Sequence, residues 1–206
     1  MREYDEIAAW FAETRSDAGL ADVAAFAREL PRGARILELG CGTGVPLSRY
    51  LLAEGFELSA IDSSEEMMKR FRTACPDARA ERATIKESRL FDGEFDAAIA
   101  WGVLFHLEPR DQEDAIAKVA SRLRPGARFL FTAGDRAETA SSEMNGVPFT
   151  YYSLGREAYA RVLRANALEI IDDERGMCLL GRLEVVFHTK MQLLRTALEP
   201  GTAAGG

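Results

Sequence analysis

The sequence predicts an α/β fold in one domain, on three observations. Strand-like apolar runs alternate with amphipathic helical stretches along 206 residues, a length that buries one full core. The run Ile36-Leu37-Glu38-Leu39 leads into Gly40-Cys41-Gly42-Thr43-Gly44, and glycine at every second position lets main chain come within contact distance of a ligand. Eighteen residues past Gly44, Ala60-Ile61-Asp62 is a second apolar run ending in an acid, where a carboxylate can take two ribose hydroxyls.

The elements follow in order. Tyr4, Ile7, Ala8 and Phe11 share one face of a short helix. Leu20, Val23, Ala24, Ala27 and Leu30 keep the same period in a second helix, which Pro31-Arg32-Gly33 ends. After the first strand, a helix from Pro46 to Glu54 starts beside the glycine loop. Ser63, with Glu66 three residues on, reads as a capping box for a helix whose apolar stripe is Met67, Met68 and Phe71. A third strand is expected near 78–83, and the continuous apolar run 95–101 reads as a fourth, covered on both faces. A helix over 111–123 is stopped by Arg124-Pro125-Gly126, before a fifth strand at 128–132.

From 133 to 152 the periodicity is lost among Gly134, Gly146, Pro148 and several Ser and Thr, which predicts a functional loop or lid. Phe149, Tyr151 and Tyr152 at its end would wall an apolar or aromatic substrate. Ser153 is read as the cap of a helix to about Asn166, 168–172 and 183–188 as a closing pair of strands, and 199–206 as a disordered tail.

Composition narrows the partners. Lys and Arg total 26 against 33 Asp and Glu, a net charge of −7 without a basic block, which disfavours nucleic acid. No apolar run approaches the roughly 20 residues that span a bilayer, and the charged start is unlike a signal peptide, so a cytoplasmic protein without a membrane partner is expected, as monomer or homodimer. Cys41, Cys75 and Cys178 are widely spaced, so neither a disulfide framework nor a metal site is indicated. Cys41 reads as a small neutral residue of the loop.

The third glycine falls at 44, one position early for the G-x-G-x-x-G of dinucleotide sites, which argues against NAD. The arrangement Glu38-x-Gly40-x-Gly42-x-Gly44 with Asp62 downstream resembles the class I S-adenosylmethionine-dependent methyltransferases, small-molecule branch, over roughly 35–132. The resemblance implies a doubly wound, seven-stranded, mostly parallel Rossmann-like sheet with an antiparallel last strand. It also implies one methyltransferase domain over 1–198, whose leading helices in 1–32 close over S-adenosyl-L-methionine.

For the cofactor, the resemblance implies close main-chain approach at Gly40, Cys41, Gly42 and Gly44, with Asp62 and neighbouring Ser63 at the ribose. Met67 would lie on the adenine. The acid that many relatives carry near 84 is absent, which leaves adenine to the main chain of Thr84 and Ile85. Ala100 with Gly40 would hold the methionine amino group, Glu38 would reach it through water, and the Trp101 ring would meet the sulfonium.

For the acceptor, Tyr4 and Trp10 would roof the pocket, Arg15 would meet a carboxylate of substrate or cofactor, and Phe105, His106, Phe149 and Tyr151 would line the reaction centre. His106 is the candidate catalytic residue, as general base or as positioning group. Together these imply in-line transfer of a methyl group to an O or N atom of a small molecule. The alternative is a non-catalytic S-adenosylmethionine-binding sensor or assembly protein, against which the furnished mouth at Trp101 and His106 argues.

Overall fold

The computed structural model describes residues 3–170 and the backbone of 177–180 and 183–186. In chain order run α1 (Glu3–Thr14), α2 (Leu20–Arg28), β1 (Arg35–Leu39), α3 (Leu47–Ala53), β2 (Glu57–Asp62), α4 (Glu65–Ala74), β3 (Arg79–Arg82) and β4 (Phe95–Ala100). A 3-10 turn at Leu104–His106 leads to α5 (Pro109–Ala120), β5 (Leu123–Phe131), β6 (Ala137–Met144), β7 (Val147–Leu154) and α6 (Arg156–Ala165). The last described elements are β8 (Met177–Leu180) and β9 (Leu183–Val186).

β1 to β5 form one parallel sheet in the order β3-β2-β1-β4-β5. Successive strand residues point to opposite faces, and both faces are covered. Leu37, Leu39, Ala98, Phe129 and Phe131 pack with Ile116 and Val119 of α5 and Leu163 of α6. Ile36, Leu58, Ala60, Ile99 and Leu130 pack with Val23 and Phe26 of α2, Leu51 of α3 and Phe71 of α4. The direction of strand order reverses between β1 and β4, which opens a crevice at their carboxyl ends, the usual ligand position in such sheets.

Several expectations are corrected. Among the described residues the sheet's hydrogen bonding joins five strands, and β8 and β9 pair antiparallel with each other. The expected strand at 168–172 is irregular over 168–170. There Ala167 takes a positive φ of 59° and the Leu168 N–H returns to the Leu163 carbonyl, closing α6 and docking Leu168 on it. The hairpin lies later, so the segment read as its connection contains β8; His188 and the expected tail 199–206 fall outside the described residues.

The stretch 133–152 is not an aperiodic loop. β6 and β7 form an antiparallel hairpin registered from Ala137↔Leu154 to Met144↔Val147. Asn145 and Gly146 turn it with φ of 49° and 78°, the paired positive values of a two-residue turn that matches strand twist.

Caps and ends also move. The N-cap of α4 is Ser64, whose side chain accepts from Met67 N, rather than Ser63. Gly155 precedes α6, while Ser153 instead donates to the Gly134 carbonyl and accepts from Gly155 N. α5 stops at Ala120, and Arg124-Pro125-Gly126 sit in the irregularity between the β4–β5 pairs Phe95↔Leu123 and Ala97↔Arg128.

Candidate active site

The glycine loop and Asp62 are tied together at the ends of adjacent strands. Gly40 N and Cys41 N donate to the Ile61 carbonyl at 2.8 and 3.1 Å. Gly42 N donates to Asp62 Oδ2 at 2.9 Å, and Ser64 N to Asp62 Oδ1 at 2.8 Å. Burial raises the Asp62 pKa, and the two amides that it accepts from act against that rise. A carboxylate held on each oxygen by one N–H keeps further lone pairs for a ligand's hydroxyls.

Over this corner lies a cavity of about 510 Å³, within the usual range for a small-ligand site. Gly40, Cys41, Gly42, Asp62, Ser63, Met67, Thr84, Ile85 and Trp101 line one part of it. Tyr4, Trp10, Arg15, Phe105, His106 and Tyr151 line the rest. The Cys41 thiol is pushed well up by burial, with Glu38 and Asp62 adding to the rise, so it stays protonated and serves as a small filler.

Five expected residues are placed otherwise, among them Tyr152, which is absent from the cavity wall. Glu38 is 4% exposed and absent from the cavity wall; its strand position turns it toward α3, where Ser48 Oγ donates to Oε2 at 2.7 Å. Gly44 is needed for packing rather than ligand approach: its φ is +79°, and a Cβ there would stand 2.8 Å from Phe71 and from Cys75 Sγ. Ala100 is fully buried and its carbonyl takes Thr132 N, so Gly102 forms that edge of the cavity in its place. Phe149 stands behind the wall, in a cluster with Ile7, Phe105 and Tyr151.

Several lining residues were not singled out for the site by the sequence, Phe11, Val103 and Met144 among them. Phe11 lies 3.9 Å from where a Gly42 Cβ would be, and it sits on the helix face already read as apolar. Val103 occupies the space beside Gly40 that a side chain would need. Met144 reaches the cavity from the hairpin tip, and only recognition of the Asn145-Gly146 turn could have pointed to it. The Trp101 ring packs against Gly19, which joins the cavity wall to the start of α2.

The mouth is organised by a half-buried polar pair. The Tyr4 hydroxyl lies 2.9 Å from His106 Nε2, inside a group of rings comprising Phe105, Phe149 and Tyr151. Burial, with Tyr151 adding, raises the Tyr4 pKa and keeps its hydroxyl protonated. Arg15 stacks over Phe11 at 4.9 Å, and its Nε is buried without a hydrogen-bond partner. Burial lowers the Arg15 pKa, yet a guanidinium stays charged.

α1 is held over the cavity at a second place. Asp5 Oδ1 accepts from Ser64 Oγ at 2.6 Å and from Glu66 N at 3.0 Å.

Residues 36–126 match the family model described as a methyltransferase domain. An uncharacterized methyltransferase of Mycobacterium tuberculosis is 37% identical over 110 residues, 53% of this chain and 44% of that relative. The malonyl-[acyl-carrier protein] O-methyltransferase of Enterobacter lignolyticus is 28% identical over 167 residues, 80% of this chain and 63% of that enzyme. The chain thus spans less than two thirds of either relative's length. Among solved structures, the Burkholderia thailandensis 1,6-didemethyltoxoflavin-N1-methyltransferase, with that compound and S-adenosylhomocysteine bound, shares the fold. It has a TM-score of 0.59 and 24% identity, over 78% of this chain and 72% of that one. In the matched residues 36–126, in its sheet order and in the glycine loop joined to Asp62, the chain is similar to the class I S-adenosylmethionine-dependent methyltransferases.

Proposed function

We propose that this chain transfers a methyl group from S-adenosyl-L-methionine to an O or N atom of a small-molecule acceptor. The observation that carries the reading is one continuous cavity with the Gly42–Asp62 corner at one end and the Tyr4–His106 pair at the other. Its walls suit the cofactor: Gly42 lines the cavity with only Phe11 within 4 Å of where its side chain would stand, and the buried Arg15 Nε is an unmatched donor for a carboxylate tail. When bound, the sulfonium supplies a methyl group already activated by its positive charge, so the protein's tasks are alignment and exclusion of water.

In this reading Asp62 holds the ribose hydroxyls, Met67 and the 84–85 main chain border the adenine, and Trp101 and Phe11 shield the reactive end. Helix α1 acts as a lid, and β9, which runs beside β5, extends the sheet toward seven strands. No helix among the described residues is long and apolar enough to cross a membrane, and the charge of −7 disfavours nucleic acid, so a diffusible acceptor is the fitting one.

Calorimetry with S-adenosylmethionine and S-adenosylhomocysteine, followed by product detection on a panel of phenols, amines and carboxylates, tests the reading. Asp62→Ala is expected to weaken cofactor binding about 10- to 100-fold, the worth of charged hydrogen bonds. Wild-type protein that folds yet gives no heat with either compound would overturn the proposal.

A further inference from the structure

We propose, resting on the methyl-transfer reading, that the acceptor is a planar aromatic molecule with an uncharged ring hydroxyl, and that Tyr4 is the catalytic residue that passes its proton to His106. Charge decides the class. Among the described residues that line the cavity, Asp62 and Arg15 are the only Asp, Glu, Lys or Arg residues. Asp62 belongs to the glycine-loop corner, so an ammonium at the mouth would lose its hydration without a carboxylate to replace it. A second anion beside the cofactor's own carboxylate would compete for one guanidinium, in a protein whose net charge is −7.

Shape decides the rest. The mouth is walled by Phe105, Leu107, Met144 and Tyr151, with ring planes tilted at 46 to 68° among Phe105, His106 and Tyr151. Such walls receive a flat ring by edge and offset contacts and offer few hydrogen bonds, so a sugar or an amino acid would leave several polar groups unmatched. One cavity of about 510 Å³ also has to seat the adenosyl group, which restricts the acceptor to about one or two fused rings.

The polar pair receives the hydroxyl. With Tyr4 O–H donating to His106 Nε2 at 2.9 Å, the Tyr4 oxygen keeps lone pairs for a hydroxyl presented from the cavity. As the new O–CH3 bond forms and the methyl–sulfur bond breaks with its electron pair going to sulfur, the acceptor's proton moves to the Tyr4 oxygen. The Tyr4 proton moves to His106 Nε2 at the same time. One positive charge is lost at sulfur and one gained at the imidazole, which afterwards returns its proton to water.

Three ligands with one ring system and different heads test this: naphthol, naphthoate and naphthylmethylamine, titrated calorimetrically into the S-adenosylhomocysteine complex. Naphthol should bind about tenfold or more tightly than either charged analogue, and should alone be methylated with S-adenosylmethionine. Tyr4→Phe should lower kcat for naphthol about 10- to 100-fold, with S-adenosylhomocysteine binding retained as the check on folding. Tighter binding of the ammonium or the carboxylate, no naphthol binding by a complex that does hold S-adenosylhomocysteine, or wild-type kcat in Tyr4→Phe would each overturn this inference and leave methyl transfer standing. Failure of S-adenosylhomocysteine itself to bind would overturn both.

Discussion

Glu38 shows how one buried carboxyl turns into a pH dependence. Burial raises its pKa from the usual 4.5 to about 7, against the Ser48 hydrogen bond and the nearby Arg15 charge. The folded chain therefore keeps a proton that the unfolded chain releases above about pH 4.5. Stability from this group is complete below the lower value, falls as pH rises between the two, and is fully lost above pH 7. At 1.36 kcal/mol per pKa unit the whole effect is bounded by about 3 kcal/mol. Glu38→Gln keeps an acceptor for Ser48 and removes the charge, so urea midpoints of variant and wild type should agree near pH 5 and favour the variant at pH 8 by up to about that amount. The glycine motif marked Glu38 as close to the cofactor loop; the two-residue alternation of β1, which turns it toward α3, is what that motif reading left unused. Gly44 is a similar case, because the same residue type answers equally to a ligand and to the Phe71 ring, and only packing tells them apart.

At the scale of elements, α4 depends on Ser64 in two ways. Its Oγ accepts from Met67 N at 3.1 Å and donates to Asp5 at 2.6 Å. Ser64→Ala should cost about 1–2 kcal/mol in denaturant unfolding, as loss of a helix cap does, and should also loosen α1. β4 and the end of β5 were legible because their apolar runs are nearly continuous, as burial on both faces demands, whereas edge strand β3 reads Arg79-Ala80-Glu81-Arg82 and is only half-buried. β6 was not legible, because its inward positions carry Ala140, Ser142 and Met144 while Glu138, Thr139, Ser141 and Glu143 surround them, a contrast too weak to read as alternation. The pair Asn145-Gly146 held the missing signal. Boundaries at Ser63 against Ser64, or Ser153 against Gly155, were decided by hydrogen bonds that several serines in a row could equally have made.

For the whole molecule, the central question is how ligands enter a cavity roofed by α1. That helix buries only Ile7 and Ala8 fully, and Tyr4 and Asp5 tie it down at His106 and α4. Few buried apolar residues and a terminal position define a segment that opens at low cost. Hydrogen exchange should find α1 amides fast in the free protein and slowed about tenfold or more by S-adenosylhomocysteine, while β1 and β4 stay protected throughout. Unchanged α1 exchange on binding would mean that the roof takes no part in capture. The pocket corner at Gly42 and Asp62 was legible from two short motifs and most mouth residues from the family resemblance, whereas Met144 and the Tyr4–His106 pairing were not, since the mouth is assembled from α1, the turn after β4 and a hairpin that lie far apart in sequence.

That hairpin leaves and rejoins the chain at a pinch. A side chain on Gly134 would collide with Ser153, and one on Gly155 with the main chain at Ala137, so the two legs are drawn close just where β6 and β7 begin and end. Nature or an engineer can therefore graft a different loop of β-ribbon between these glycines, exchanging Met144 and Tyr151 for other contacts while the catalytic crevice stays as it is. Diversification of what such a scaffold alkylates needs no more than a transplant at that one seam.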